Sequence, residues 1–228
     1  MFLQGFVIAH SNHVHISDLT FIDSPQMHMA LERSTWVYVY NLTITGPGDS
    51  PNTDGIHIQH STHVFISQTH IGTGDDCISI GDGSSYLSIS MITCGPDSFF
   101  GKSIGSLGIK EQYETVENVY VSNVEFRGTS NGARIKTWQV ICEHMIIRVM
   151  ISRIGGSGFA RTIVFEHIRS IGSVHPIIIN QYYCDHTHCK NQVSISYSMT
   201  MTLFLVGFFS FVLKNSNFLI FSKYINLT

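Results

Sequence analysis

Residues 51–81 read PNTDGIHIQHSTHVFISQTHIGTGDDCISIG, and two acidic clusters 22 residues apart in this stretch decide the fold. Asp54 stands in N-T-D-G and opens the alternating run G-I-H-I. Asp75 and Asp76 stand in G-D-D-C and open a second such run, C-I-S-I. Two similar short strands one repeat apart predict successive turns of a coil, with the acids brought together by stacking.

The rest of the chain extends the period. A segment of the form apolar-x-apolar-x-x-apolar-x-apolar recurs as VHISDLTF (14–21), VYVYNLTI (37–44), VFISQTHI (64–71), LSISMITC (87–94) and VYVSNVEF (119–126). A later copy is IVFEHIRSI (163–171), and the starts lie 23, 27, 23, 32 and 44 residues apart. Between them runs a second strand set, DGIHIQ, DDCISI, NGARIKT and PIIINQ, with Gly and Asn expected at the corners. Short regular strands also suit an antiparallel sandwich. The near-constant period and the likeness of one copy to the next favour a solenoid.

Composition agrees. Charged residues are 13% of the 228, and the formal net charge is -3. A chain rich in β-branched residues suits pleated strands, and the absence of a basic footprint argues against a nucleic-acid partner. The thirteen histidines lack zinc-like spacing with cysteine and are expected on strand exteriors. The five cysteines, Cys77, Cys94, Cys142, Cys184 and Cys189, leave one over if the others pair. The sequon Asn41-Leu42-Thr43 is compatible with secretion. The opening MFLQGFVIAHSNHV lacks the charged region and apolar length of a signal peptide, so the natural N-terminus is expected to lie elsewhere.

Two segments break the period. VICEHMIIRVMISRI (140–154) looks like a hydrophobic helix, and removing it brings the interval of 44 close to the others. MTMTLFLVGFFSFVL (199–213) is uncharged and mainly apolar. It falls short of the ~20 residues a membrane helix needs, so a buried terminal strand or helix, or an aggregating tail, is expected instead. The expected division is a β-helical domain over 1–189, interrupted at 140–154, and an aberrant hydrophobic tail over 190–228.

Equivalent positions on adjacent coils stack about 4.8 Å apart, which would make Asp54 and Asp76 neighbours. Close carboxylates repel, so one of them holds its proton more tightly. Divided protonation of this kind is what glycoside hydrolysis uses, one acid and one base. Taken singly, each aspartate would read as a turn cap. Alternation places Asp54 and Asp76 on the core parity of Ile56, Ile58, Ile78 and Ile80, so both are expected at corners, before the alternation begins. Gly55 and Gly74 fit such corners. On β-strand parity Arg134 and Lys136 share the outer face of N-G-A-R-I-K-T, as do His57 and Ser79 in their strands. Two exposed cations beside acids suit a substrate bearing carboxylates.

At these residues the chain resembles the plant-type polygalacturonases, pectin-degrading glycoside hydrolases built on a right-handed parallel β-helix. The blocks that carry the resemblance are SPNTDGIHI (50–58), TGDDCISIGDG (73–83), TCGP and SIGSLG within 93–108, NGARIKTWQ (131–139) and PIIINQYYC (176–184). SPQMHMA (24–30) and TITGPGDSPN (43–52) add to them. The resemblance implies an all-β, right-handed parallel β-helix, incomplete at both ends. It implies inverting hydrolysis of α-1,4 bonds between galacturonates, with carboxylates about 6.5–9.5 Å apart to leave room for water. Asp75 would be the general acid, and Asp54 and Asp76 would activate the water. Asn52, Arg134, Lys136 and Tyr183 would bind substrate. Cys77–Cys94 and Cys184–Cys189 would be disulfides, as suits an oxidising compartment. No metal or organic cofactor is implied. The implied partner is polygalacturonate or pectin, the implied state a secreted, cell-wall monomer, and no membrane partner is expected.

The resemblance departs at one block. The family reads C-G-P-G-H-G-I-S-I-G-S-L-G, with an active-site histidine. Here Asp97-Ser98-Phe99-Phe100 replaces the glycine–histidine pair, and Lys102 follows. A pectin-binding homologue without catalysis is therefore the alternative. A calcium-dependent lyase on a similar coil is a third reading, with the acids as oxygen ligands.

Overall fold

The computed structural model describes residues 5–95, 100–109, 112–138, 156–183, 200–213, 216–222 and 226–227. The 140–154 segment, Cys142, Cys184 and Cys189 lie outside the described residues. Every strand pairing is parallel except at the C-terminal edge, and the strands fall into two sheets.

The first sheet stacks β1 (Phe6–Ala9), β4 (Met29–Glu32), β7 (Ile56–Gln59), β9 (Asp76–Ile80), β11 (Phe100–Leu107), β13 (Asn131–Trp138) and β15 (His175–Tyr183), in that order. The second stacks β2 (Asn12–Ser17), β5 (Thr35–Tyr40), β8 (Thr62–Gly72), β10 (Ser84–Cys94), β12 (Tyr113–Arg127), β14 (Ser157–Ile171) and β16 (Thr200–Leu213). Short strands β3 (Thr20–Ile22) and β6 (Thr43–Thr45) join it through β8. Each coil gives one strand to each sheet, which is the right-handed parallel β-helix that the sequence predicts.

The register matches the repeat residue by residue. Val14, Val37, Val64, Leu87, Val119 and Ile163 open the six copies and form one continuous row across the second sheet. The row continues to Leu203 of β16, so the apolar run near the C-terminus is a further strand rather than a helix. A mainly apolar run of this length without a charged residue cannot be assigned by periodicity alone. Antiparallel β17 (Ser216–Ser222) and β18 (Asn226–Leu227) then pair with β16. Among the described residues no helix is long and apolar enough to cross a membrane.

The core lies between the sheets. Ile56, Ile58, Ile78, Ile80, Ile104 and Ile135 line the first sheet's inner face, and Val37, Val64, Ile66, Ile89, Val119, Val121 and Ile163 line the second's. Stacking one such residue on the next buries each side chain on all sides, a contribution of roughly 1.5–3 kcal/mol apiece.

The corners differ in part from expectation. His13, Trp36, His63, Tyr86, Asn118 and Thr162 each precede a repeat opener, and each has φ between 54° and 57°. A second left-handed column holds Asp18, Asn41, Gln68, Met91, Asn123 and His167. Asn41, Asn118 and Asn123 fit the expectation of Asn at such positions, but bulkier residues such as Trp36, Tyr86 and Met91 occupy others. A left-handed residue with a Cβ costs roughly 1–2 kcal/mol, and ring stacking offsets part of it. His13, Trp36, His63 and Tyr86 form one ladder, with centroids 6.1, 4.2 and 4.9 Å apart.

Candidate active site

The outer face of the first sheet carries a polar row where a solvated strand face would be ordinary. His57, Ser79, Ser103 and Arg134 are in register on successive strands, and Lys136 lies two residues along from Arg134. Above this row is a cleft of about 510 Å³ whose lining includes Asn52, Asp54, His57, Asp75, Asp76, Ser79, Arg134, Lys136 and Tyr183. Every catalytic and substrate-binding residue read from the sequence therefore lines the same cleft.

Two glycines let the acidic corners close. A Cβ on Gly55 would lie 2.4 Å from a methyl of Ile71 and 2.6 Å from the Cys77 carbonyl oxygen. A Cβ on Gly74 would lie 2.2 Å from the Ser50 carbonyl oxygen. The need is for close backbone approach. The Gly55 amide then donates to the Asp76 carbonyl oxygen at 2.9 Å, locking the two coils together at the acids.

Asp54 and Asp75 sit at corners as expected, but Asp76 is the first residue of β9 and lies on the strand itself. A buried carboxylate there requires partners, and it has them. The Ser103 hydroxyl donates to Asp76 Oδ2, Arg134 Nη2 lies 3.5 Å from Oδ1, and Lys136 Nζ lies 3.7 Å from Oδ2. Asp54 Oδ2 accepts from the Ser79 hydroxyl at 2.5 Å. Asp75 is fixed by two main-chain amides, that of Asn52 at 3.0 Å and that of Asp76 at 2.8 Å.

Electrostatics divide the pair. Burial, followed by the negative charge of Asp76, lifts Asp54 to about 7, against the pull of the Ser79 hydroxyl. Burial also raises Asp76, opposed by Lys136, Arg134 and the Ser103 hydroxyl. Repulsion between carboxylates thus acts as the sequence predicts for Asp54, but desolvation is the larger cause. With Arg134 and Lys136 both within salt-bridge distance of it, Asp76 is well placed to carry the negative charge.

The two cations are less exposed than expected. They point outward from β13, opposite Ile135, yet the Arg134 and Lys136 side chains are only 14% and 12% exposed because they lie in the cleft against Asp76. The Tyr183 ring lies 5.2 Å from Lys136 Nζ and meets Trp138 edge-on at 5.0 Å. A cation over an aromatic face is held by the ring quadrupole, so Tyr183 helps to aim Lys136.

Several residues of the site escape a reading of motifs. Ser103 follows Lys102 in the divergent block, and only the register puts it beneath Asp76. His28 is fully buried, against the expectation of exterior histidines. Its main-chain N and ring Nδ1 both face the Asp54 carbonyl oxygen, at 2.8 and 3.2 Å, and brace the N-T-D turn from behind. Lys102 is the backbone register partner of Ile78 and Ala133. Phe100 pairs in register with both Asp76 and Asn131.

Cys77 and Cys94, the first expected pair, are both buried in the core, and Cys77 Sγ faces the carbonyl oxygen of Ile71, the register partner of Cys94, at 3.7 Å. The Cys184–Cys189 pair lies outside the described residues. Among the described residues no group of three or more His, Cys, Asp or Glu side chains is arranged to hold a metal ion.

Comparison with known proteins fits this geometry. The chain is 43% identical over 195 residues to a probable polygalacturonase of Arabidopsis thaliana, covering 85% of this chain and 39% of that protein. It is 43% identical over 185 residues to a polygalacturonase of Malus domestica, covering 80% and 36% respectively. The chain thus spans well under half the length of these relatives. In fold it matches an endo-xylogalacturonan hydrolase from Aspergillus tubingensis, with TM-score 0.71 and 24% identity over 81% of this chain and 47% of that one. A polygalacturonase from Erwinia carotovora matches with TM-score 0.65 and 23% identity, over 85% and 46%. The model of the glycosyl hydrolases family 28 matches residues 4–202. The acids, the cations and the coil that carries them have one source: the chain belongs to glycosyl hydrolases family 28.

Proposed function

We propose that this protein hydrolyses α-1,4-galacturonosyl bonds of polygalacturonate and pectin, with inversion, in a secreted, cell-wall setting and as a monomer. The observation that carries the reading is the meeting of three carboxylates with two cations in one cleft, Asp76 lying against both Arg134 and Lys136. The cations hold galacturonate carboxylates as a fork and a point charge. Asp75 protonates the leaving oxygen, and Asp54 and Asp76 take the proton of the attacking water. Asn52 and Tyr183 border the bound sugar.

A second reading has its own support. Phe100 is the backbone register partner of Asp76, in the block where the resemblance calls for a histidine. A site lacking that imidazole could retain pectin without cutting it. A reducing-end assay on de-esterified pectin separates the two, with Asp75→Asn as control. Release of new reducing ends by the native chain and its loss in the variant support hydrolysis. Binding of polygalacturonate without release supports the second reading, and neither binding nor release removes both.

A further inference from the structure

His57, Ser79 and Asp54 form a chain of hydrogen bonds that the roles assigned above do not use. His57 Nδ1 lies 2.8 Å from Ser79 Oγ, and Ser79 Oγ lies 2.5 Å from Asp54 Oδ2. The far ring nitrogen, Nε2, lies 3.2 Å from Gln59 Oε1. Ser79 and Asp54 are 5% and 8% exposed, so water has little access to the join. His57 and Ser79 are register partners on β7 and β9, which fixes the spacing by the coil itself.

A hydroxyl has one proton to give. When Ser79 donates to the Asp54 carboxylate, its oxygen can only accept from His57, and Nδ1 must carry hydrogen. When Asp54 is protonated and donates to Ser79, the serine proton turns to His57, and Nδ1 must be bare. The protonation of Asp54 and the state of His57 are therefore tied through one rotor.

We infer that His57 and Ser79 are a proton relay that sets the charge of Asp54, taking the proton from it to generate the carboxylate base that activates the attacking water. The inference rests on Asp54 acting as a base in the proposed hydrolysis. The step balances. The Asp54 O–H bond breaks as Ser79 Oγ takes that proton, and the Ser79 O–H bond breaks as His57 Nδ1 takes the other. The products are a carboxylate and an imidazolium, with no net charge created. Asp54 then accepts a proton from water as the water oxygen bonds to the anomeric carbon, while the glycosidic C–O bond breaks and Asp75 protonates the leaving oxygen. The imidazolium returns its proton to solvent in the cleft, and Asp75 recovers one from there.

The surroundings of His57 bear on the direction of transfer. Burial lowers its basicity, and Gln59, Glu32 of β4 and Asp76 of β9 oppose that. At rest the neutral pair is favoured on both sides, because burial raises Asp54 as it lowers His57. Substrate is then met by a protonated Asp54 that the relay discharges.

The test is a ring-nitrogen NMR titration of His57 in the full chain, assigned by the signal lost in His57→Gln. Hydrogen is expected on Nε2 while Asp54 is protonated and on Nδ1 once it ionises, in a single linked change. In Ser79→Ala the two titrations come apart, and Ser79→Thr, which keeps the hydroxyl, restores the link. A His57 ring that holds one tautomer throughout, or follows Asp54 equally well in Ser79→Ala, overturns the relay. Where turnover is measured, Ser79→Ala lowers kcat on the order of 10²-fold and moves the acidic limb of the kcat/KM profile to higher pH, since Asp54 loses a bond that favours its carboxylate. An even loss at all pH values means packing and counts against the relay. If the native chain releases no product, the proposed hydrolysis fails, and the titration still decides the relay.

Discussion

The two sheets of this solenoid share one coil and are built to opposite rules. The second sheet is dry inside and ringed outside, with Val37, Val64, Leu87 and Val119 in one inward row and His13, Trp36, His63 and Tyr86 in one outward ladder. The first sheet has an equally apolar inner row but places His57, Ser79, Ser103 and Arg134 on its outer face, with Asp76 buried beside them. One sheet repeats a residue type from coil to coil, and the other changes it at every coil. Repetition gives stability, because each side chain packs on its own kind. Variation gives chemistry, because stacking then sets unlike groups side by side within reach of one another.

The contrast can be broken from either side. The largest effect is expected on the cleft. Asp75→Asn should lower kcat by about 10²–10⁴-fold, the usual range for a lost general acid, with the unfolding midpoint unchanged. A large fall in stability would mean that the acid holds the turn together instead. Ile89, fully buried in β10, is the opposite case. Ile89→Ala should cost about 2–5 kcal/mol in denaturant unfolding, with kcat of the folded fraction retained.

Asp54 sharpens the comparison, because there the cleft should act against stability. Its carboxyl is lifted from an ordinary 3.8 to about 7 by burial and by Asp76. The folded chain therefore holds a proton that the unfolded chain releases across that window. Stability from this group is complete below about pH 4 and is lost as pH rises through about 7, by an amount on the order of 4 kcal/mol. Asp54→Asn should flatten that slope and raise the melting temperature at pH 8, while activity falls. An unchanged slope would place Asp54 in solvent. The smallest effect belongs to the ladder. Trp36→Ala should cost about 1 kcal/mol through lost stacking, measured by thermal melting, and leave turnover alone.

These rules also explain what could be read from the chain. The inner rows were legible because an apolar repeat with constant spacing is its own register, and all six copies stack opener on opener. The acids were legible because N-T-D-G and G-D-D-C open equivalent strands. The left-handed corners were not. A Trp at φ 55° contradicts local preference, and the ring ladder on neighbouring coils offsets part of its cost. Nor could sequence reveal that Arg134 and Lys136 would be largely buried, since alternation gives a face but not what covers it. Ser103 was hidden for a related reason. Its partner Asp76 lies 27 residues away and is brought near only by stacking. His28 looked like one polar residue among many and proved to brace the turn that carries Asp54.

The most direct test of the central claim is the configuration of the first product. Polygalacturonate would be incubated with the native chain and the newly formed hemiacetal followed by proton NMR before it mutarotates. Inverting hydrolysis by Asp75 with Asp54 and Asp76 predicts the β-anomer first, and no signal from Asp75→Asn. Appearance of the α-anomer first, or of no new reducing end from a chain that binds the polymer, would contradict it.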